Sequence, residues 1–197
     1  MIKNIIFDVG NVLLSYNWED MLMSRCESKE EAIKLGNIIF NNPYWSILDY
    51  GTLTREEVIK GYKLIYPEYA DDIEWFITHP ELMPVKREKV WHEVKCLKEK
   101  GYSIYLLSNY SDDLFKSHTK DADFMNYIDG MVVSYQIHML KPDIRIYKYI
   151  LDKYNLNPEE CIFFDDREEN TEGAGKAGIK AITVVSEEQL LEEIAKL

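Results

Sequence analysis

Five short apolar runs constrain this chain more than any other feature: Ile5-Ile6-Phe7, Ile104-Tyr105-Leu106-Leu107, Met131-Val132-Val133, Ile162-Phe163-Phe164 and Ala181-Ile182-Thr183-Val184-Val185. They are nearly continuous rather than alternating. A strand with one wet face alternates, whereas a strand covered on both faces does not, so these runs read as a parallel sheet between layers of helix. Helical patterns lie between them. Val90, Trp91, Val94 and Leu97 follow a three-to-four spacing, with Gly101 where a helix would end. Ile146, Tyr149, Ile150 and Lys153 suit a helix after Pro142, and Ser186-Glu187-Glu188-Gln189 opens another before Leu190, Leu191 and Ile194. The expected fold is α/β, a doubly wound, Rossmann-like parallel sheet of about five strands.

The first run stands apart, because nearly a hundred residues separate it from the second. The gap reads as helices. Ser28-Lys29-Glu30-Glu31 and Thr54-Arg55-Glu56-Glu57 are capping-box starts. Ala32, Leu35, Ile38 and Ile39 form one apolar face, Val58, Tyr62 and Ile65 a second, and Ile73, Phe76 and Ile77 a third. The sequence therefore predicts a helical cap over residues 15–84, set into a core made of residues 1–14 and 85–197.

The chain has 23 Lys and Arg against 35 Asp and Glu, a formal charge of −12. That surface disfavours nucleic acid and anionic membranes, both polyanions. No apolar run reaches the ~18–20 residues of a membrane span, and the start reaches Asp8 too early for a signal peptide. Cys26, Cys96 and Cys161 form no C-x-x-C pair, so neither a disulfide framework nor a zinc site is suggested. The expectation is a cytoplasmic monomer or homodimer with a small-molecule partner.

In a doubly wound sheet, ligands bind beyond the carboxyl ends of the strands. The polar residues there are Asp8 after the first run, Ser108 and Asn109 after the second, Lys141 in the loop after the third, and Asp165 and Asp166 after the fourth. Each alone is an ordinary turn or capping residue. Four such signals in order, each at a strand end, are not ordinary. Carboxylates held close need a cation, and a hard ion such as Mg²⁺ suits oxygen ligands and a phosphate. An Asp carboxylate can attack phosphorus, so the set suits phosphoryl transfer.

These residues resemble the motifs of the haloacid dehalogenase superfamily. Phe7-Asp8-Val9-Gly10-Asn11-Val12-Leu13 resembles its first motif, Leu107-Ser108-Asn109 its second and Lys141-Pro142-Asp143-Ile144-Arg145-Ile146-Tyr147 its third. Phe163-Phe164-Asp165-Asp166 through Asn170, with Gly173-Ala174-Gly175-Lys176-Ala177-Gly178-Ile179, resembles the fourth. The resemblance implies a phosphatase with Asp8 as nucleophile and metal ligand, and the Gly10 carbonyl, Asp166 and Asp165 as further Mg²⁺ ligands. It also implies phosphate binding by Ser108, Asn109 and Lys141, and a metal contact through water at Asn170.

One departure bears on substrate. Relatives commonly carry Asp two residues after the nucleophile as acid and base, and here that residue is Gly10. General acid help is worth ~10²–10⁴-fold, so a leaving group that departs readily is favoured. The anomeric oxygen of a sugar 1-phosphate is one, and Asp-x-Gly-Asn-Val resembles the subgroup of α-D-glucose-1-phosphate phosphatase. His138 either has no role or supplies the missing proton transfer. Trp18, Tyr44, Trp45, Tyr50 and Tyr62 either pack the cap or stack on a sugar, and Glu19 and Asp20 either lie solvated or bind its hydroxyls. The alternatives are a 2-haloacid dehalogenase, against which Asp165-Asp166 argues, and a catalytically weak phosphoester-binding or regulatory protein.

Overall fold

The computed structural model describes every residue from Met1 to Leu197. The chain begins with β1 (Asn4–Phe7), then β2 (Leu14–Tyr16) and five helices: α1 (Trp18–Met23), α2 (Lys29–Phe40), α3 (Pro43–Tyr50), α4 (Arg55–Ile65) and α5 (Ala70–Thr78). It returns through β3 (Pro84–Lys86) and α6 (Glu88–Glu99) to β4 (Ser103–Ser108), α7 (Asp112–Thr119), β5 (Gly130–Val133) and α8 (Ser134–Ile137). It then runs through α9 (Ile144–Tyr154), β6 (Cys161–Asp165), α10 (Glu168–Lys176), β7 (Lys180–Thr183) and α11 (Glu187–Ile194).

Five strands form one parallel sheet in the order β5-β4-β1-β6-β7. All five correspond to the apolar runs. β1 is central, and the chain winds outward from it in both directions. Its carboxyl end is therefore the switch point at which a cleft opens. Ile5, Ile6 and Phe7 are all fully buried, with alternate side chains facing opposite layers: Ile5 and Phe7 join the larger apolar cluster, and Ile6 the smaller. Phe7 stacks on Phe164 with ring centroids 5.3 Å apart. This double burial is why the runs do not alternate.

The helix starts follow the capping chemistry. Ser28 accepts from the Glu31 amide, Thr54 and Glu57 form a complete capping box, and Ser186 accepts from the Gln189 amide. Gly101 follows α6 at φ +95°, where a left-handed residue is required.

The stretch between β1 and β4 is not wholly helical. β2 and β3 pair antiparallel, Leu14 with Lys86 and Tyr16 with Pro84, so the chain enters and leaves the inserted helices through one ribbon. Three residues per strand are too few for an alternation to be legible in sequence. No helix is long and apolar enough to cross a membrane, and the three cysteines are free.

Candidate active site

β1 ends at Phe7, and Asp8 follows, its amide donating to Phe164 O at 2.9 Å. The chain then turns tightly. The amides of Leu13 and Leu14 both donate to Val9 O, and Asn11 adopts a left-handed conformation, φ 52°, that asparagine tolerates better than most residues. This turn aims Asp8 into the cleft and brings Asn11 Nδ2 to within 3.0 Å of Asp166 Oδ2.

The residues picked out at the strand ends converge. Lys141 Nζ lies 2.9 Å from Asp8 Oδ1, 2.6 Å from Asp165 Oδ2 and 2.9 Å from Leu107 O, all away from water. Ser108 Oγ donates to Asp8 Oδ1 at 2.5 Å. Asp165 is fully buried. Its other oxygen accepts from Asn170 Nδ2 and the Arg167 amide, each at 2.9 Å. The carboxylates of Asp8, Asp165 and Asp166 each bring an oxygen within 4.8 Å of the others.

Three carboxylates and one ammonium leave an excess of negative charge. Burial pushes the Asp8 carboxyl up to about 7, with Asp165 and Asp166 adding to the push and Lys141 opposing it. Burial also raises Asp166, against its bond from Asn11. Burial alone would lower the Lys141 ammonium, but Asp165 and Asp8 overcome it and hold it above its usual value. Asp8 and Asp166 therefore form a hard oxygen site short of positive charge, and the donor set fits a small divalent cation. Asp165 is committed differently, since both its oxygens already hold Lys141 and its neighbours.

Asn109 also has a more specific place than phosphate binding alone. Its side-chain amide is clamped to the Lys141 main chain, Nδ2 to the carbonyl at 3.0 Å and Oδ1 from the amide at 2.9 Å. It fixes the loop from which Lys141 reaches inward.

A cleft of about 570 Å³ opens over this cluster, within the usual range for small-molecule sites. The core supplies Asp8, Ser108, Lys141 and Asp166, and the inserted helices supply Trp18, Trp45 and Asp49. Trp18 and Trp45 each pack edge-on against Phe40, with centroids 5.4 and 4.9 Å away, so these aromatics both pack the insert and face the cleft. Tyr44 packs against Tyr62, whose hydroxyl donates to Ile39 O at 2.6 Å, and neither lines the cleft. Glu19 pairs with Lys29 at the surface, and neither Glu19 nor Asp20 lines the cleft.

His138 does not reach the site. It ends α8 in a left-handed conformation, is exposed, and its Nδ1 lies 2.9 Å from Tyr50 O. Two features of the site escape sequence reading. Tyr16 fills the space beside Gly10, where an added Cβ would lie 2.5 Å from its hydroxyl oxygen. That hydroxyl begins a chain through Tyr110 to His118 Nδ1, with His118 Nε2 2.8 Å from Pro80 O. Burial pushes His118 down to about 4, so it is neutral. Asp49 lies 41 residues from Asp8 on a different element, and no spacing links the two.

Comparison with known proteins bears on the family and the fold. The family model described as haloacid dehalogenase-like hydrolase matches residues 40–184. A sesquiterpene phosphatase from Aspergillus oryzae is 26% identical over 90% of this chain and 87% of its own. A phosphorylated-carbohydrate phosphatase from Thermotoga maritima is 38% identical over 45% of this chain and 41% of its own. A (S)-2-haloacid dehalogenase from Burkholderia cepacia is 30% identical over 45% of this chain. The chain spans about two fifths or less of the length of several curated relatives, that dehalogenase among them. The same fold occurs in a Bacteroides thetaiotaomicron enzyme crystallised with magnesium and inorganic phosphate, at TM-score 0.74 and 22% identity, covering 95% of this chain and 96% of that one. With a family model matching well over half its length, this chain belongs to the haloacid dehalogenase-like hydrolases.

Proposed function

We propose that this chain is a Mg²⁺-dependent phosphatase of small phosphorylated metabolites. The observation that carries the reading is the meeting of Asp8, the buried Lys141 ammonium and Asp166 at the end of the central strand. Asp8 attacks phosphorus and forms an aspartyl-phosphate, which water then hydrolyses. Ser108 Oγ orients Asp8 and is placed to bind a phosphoryl oxygen. Lys141 neutralises the charge that gathers there, held by Asp165 and by the Asn109 clamp on its main chain. Asp8, the Gly10 carbonyl and Asp166 would hold Mg²⁺, with Asp165 beside them. When bound, the ion supplies positive charge to the phosphoryl oxygens.

The substrate class is drawn from Gly10, which leaves the nucleophile turn without an acid of its own, a lack least felt by an anomeric leaving oxygen, and from Trp18 and Trp45, which line the cleft and suit packing on a sugar. A sugar 1-phosphate such as glucose 1-phosphate meets both. The phosphatases among the relatives support the reaction class. The dehalogenase among them keeps a second reading alive, attack of Asp8 on an alkyl halide.

The test is inorganic phosphate release from matched 1- and 6-phosphates of several sugars, with Mg²⁺ and with EDTA, and Asp8→Asn as control. The expected result is Mg²⁺-dependent turnover that favours the 1-phosphates and is absent in Asp8→Asn. Full activity in Asp8→Asn would remove the mechanism. Equal rates on the 6-phosphates would remove the sugar 1-phosphate, and halide release from a 2-haloacid without phosphate release would establish the second reading.

A further inference from the structure

Hydrolysis as proposed above needs a proton at the departing oxygen, and the nucleophile turn has none to give. Tyr16 occupies the vacant place beside Gly10, yet its proton points elsewhere. Pro80 O can only accept, so His118 Nε2 donates to it. Neutral His118 Nδ1 then accepts from Tyr110, 3.0 Å away, and the Tyr110 oxygen accepts from Tyr16. Each proton of the chain is taken by the next acceptor, so Tyr16, Tyr110 and His118 have none left to give.

Among the cleft's carboxyl groups, Asp8 is the nucleophile and Asp166 faces the cation site. Asp49 is left. It lies near the end of α3, and α3 is fastened to the core beneath it: Ser134 Oγ donates to Asp49 O at 2.6 Å. Asp49 lines the cleft together with Asp8, Tyr16 and Lys141.

We propose that Asp49, carried to the cleft by the inserted helices, is the acid and base of the reaction and replaces the residue missing at Gly10. This rests on the phosphatase reading. As the Asp8 oxygen attacks phosphorus, the ester P–O bond breaks, its electron pair goes to the leaving oxygen, and that oxygen takes the Asp49 proton. Asp49, now a carboxylate, takes a proton from the water that attacks the aspartyl-phosphate. The bond between Asp8 and phosphorus breaks, phosphate leaves, and Asp49 is protonated again. The environment suits both forms. Burial raises the Asp49 carboxyl to about 7, the Ser111 amide opposes this, Asp8 adds to it, and Lys141 and Arg167 oppose it. Tyr16, with its proton given to Tyr110, can only accept from a further partner, which suits a protonated group or a substrate hydroxyl.

The test compares an alkyl with an aryl phosphate, both with Mg²⁺. An aryl oxide leaves without help, and an alkoxide does not. Asp49→Asn is expected to lose ~10²–10⁴-fold in single-turnover rate on the alkyl ester and about tenfold or less in the first step on the aryl ester. It should release a burst of phenol equal to the enzyme and then turn over slowly, because nothing takes the proton from water. The burst also reports that the variant is folded. Equal losses on both esters, or no loss on either, would overturn the proposal and leave the phosphatase intact. Wild type inactive on both would overturn the phosphatase reading and this one with it. A second measurement needs no variant: wild-type first-step rates across esters of increasingly poor leaving groups should stay nearly level. A steep decline would mean that no acid acts, and would overturn the assignment of Asp49.

Discussion

Gly10→Ala tests the packing that gives this site its unusual first motif. The added Cβ would lie 2.5 Å from Tyr16 Oη and 2.9 Å from a Tyr16 ring carbon. A comfortable separation is ~3.5 Å or more, so the phenol must retreat by roughly an ångström. It is not free to do so, because its hydroxyl is bonded to Tyr110 and through it to His118. Overpacking costs ~1–3 kcal/mol, and losing the hydrogen bond about 1 kcal/mol more. Gly10→Ala should therefore destabilise the protein by ~2–4 kcal/mol. In a Tyr16→Phe background the closest atom is gone, and the cost should fall by about 1 kcal/mol or more, a coupling well above the scatter of independent sites. Urea unfolding of the four proteins of this cycle measures it, provided the slope with denaturant is unchanged. If Gly10→Ala costs the same in both backgrounds, the Tyr16 hydroxyl is not what excludes a side chain at position 10, and the argument fails.

Other outcomes follow from the same geometry. Lys141→Met should cost ~3–5 kcal/mol in urea unfolding, because it leaves Asp8 and Asp165 buried without their ammonium. The Asp8 carboxyl keeps its proton to about 7 in the folded protein but only to about 4 when unfolded, so its contribution to stability is complete below 4 and lost as pH rises through 7. Metal-free wild type should accordingly lose stability relative to Asp8→Asn across that window, read from melting curves in EDTA; a constant difference would contradict it. Mg²⁺ at a hundred times its dissociation constant should stabilise wild type by ~2.7 kcal/mol, with little effect on Asp166→Ala, measured by thermal shift. His138→Ala should change kcat by less than about twofold, since its ring is exposed and its Nδ1 meets only Tyr50 O.

The parallel sheet was legible because strands buried on both faces, as β1, β4 and β6 are, write themselves as unbroken apolar runs, and all five runs correspond to strands. The strand-end rule then located Asp8, Ser108, Lys141 and Asp166 before any contact was known. Asp165 and Asn109 were legible in place, but not the contacts they make. Nothing in a sequence shows that the oxygens of Asp165 accept from Lys141, Asn170 and the Arg167 amide, or that the Asn109 amide clamps the Lys141 main chain. Tyr16 and Asp49 were not legible. Their position depends on how the inserted helices sit over the sheet, and that is set by long-range packing with no local period. His138 illustrates the converse, since closeness to Lys141 in the chain did not bring it to the cleft.

The ribbon of β2 and β3 bears on how such a chain can be rebuilt. Tyr16 and Pro84 are partners across an antiparallel pair, so the ends of the inserted helices stand side by side. Partners in such a pair are ~4.5–5.5 Å apart, a gap that a two-residue turn closes. Topologically, everything between them can be deleted, lengthened or exchanged without altering a single connection of the sheet. The obstacle is adhesion rather than wiring, because Leu22, Leu35 and Phe76 of the insert share one apolar cluster with Ile5 and Phe7 of the sheet. A transplanted module would be free to bring its own Asp49 and its own aromatic faces, and so a new selectivity, as long as it presented a matching greasy underside.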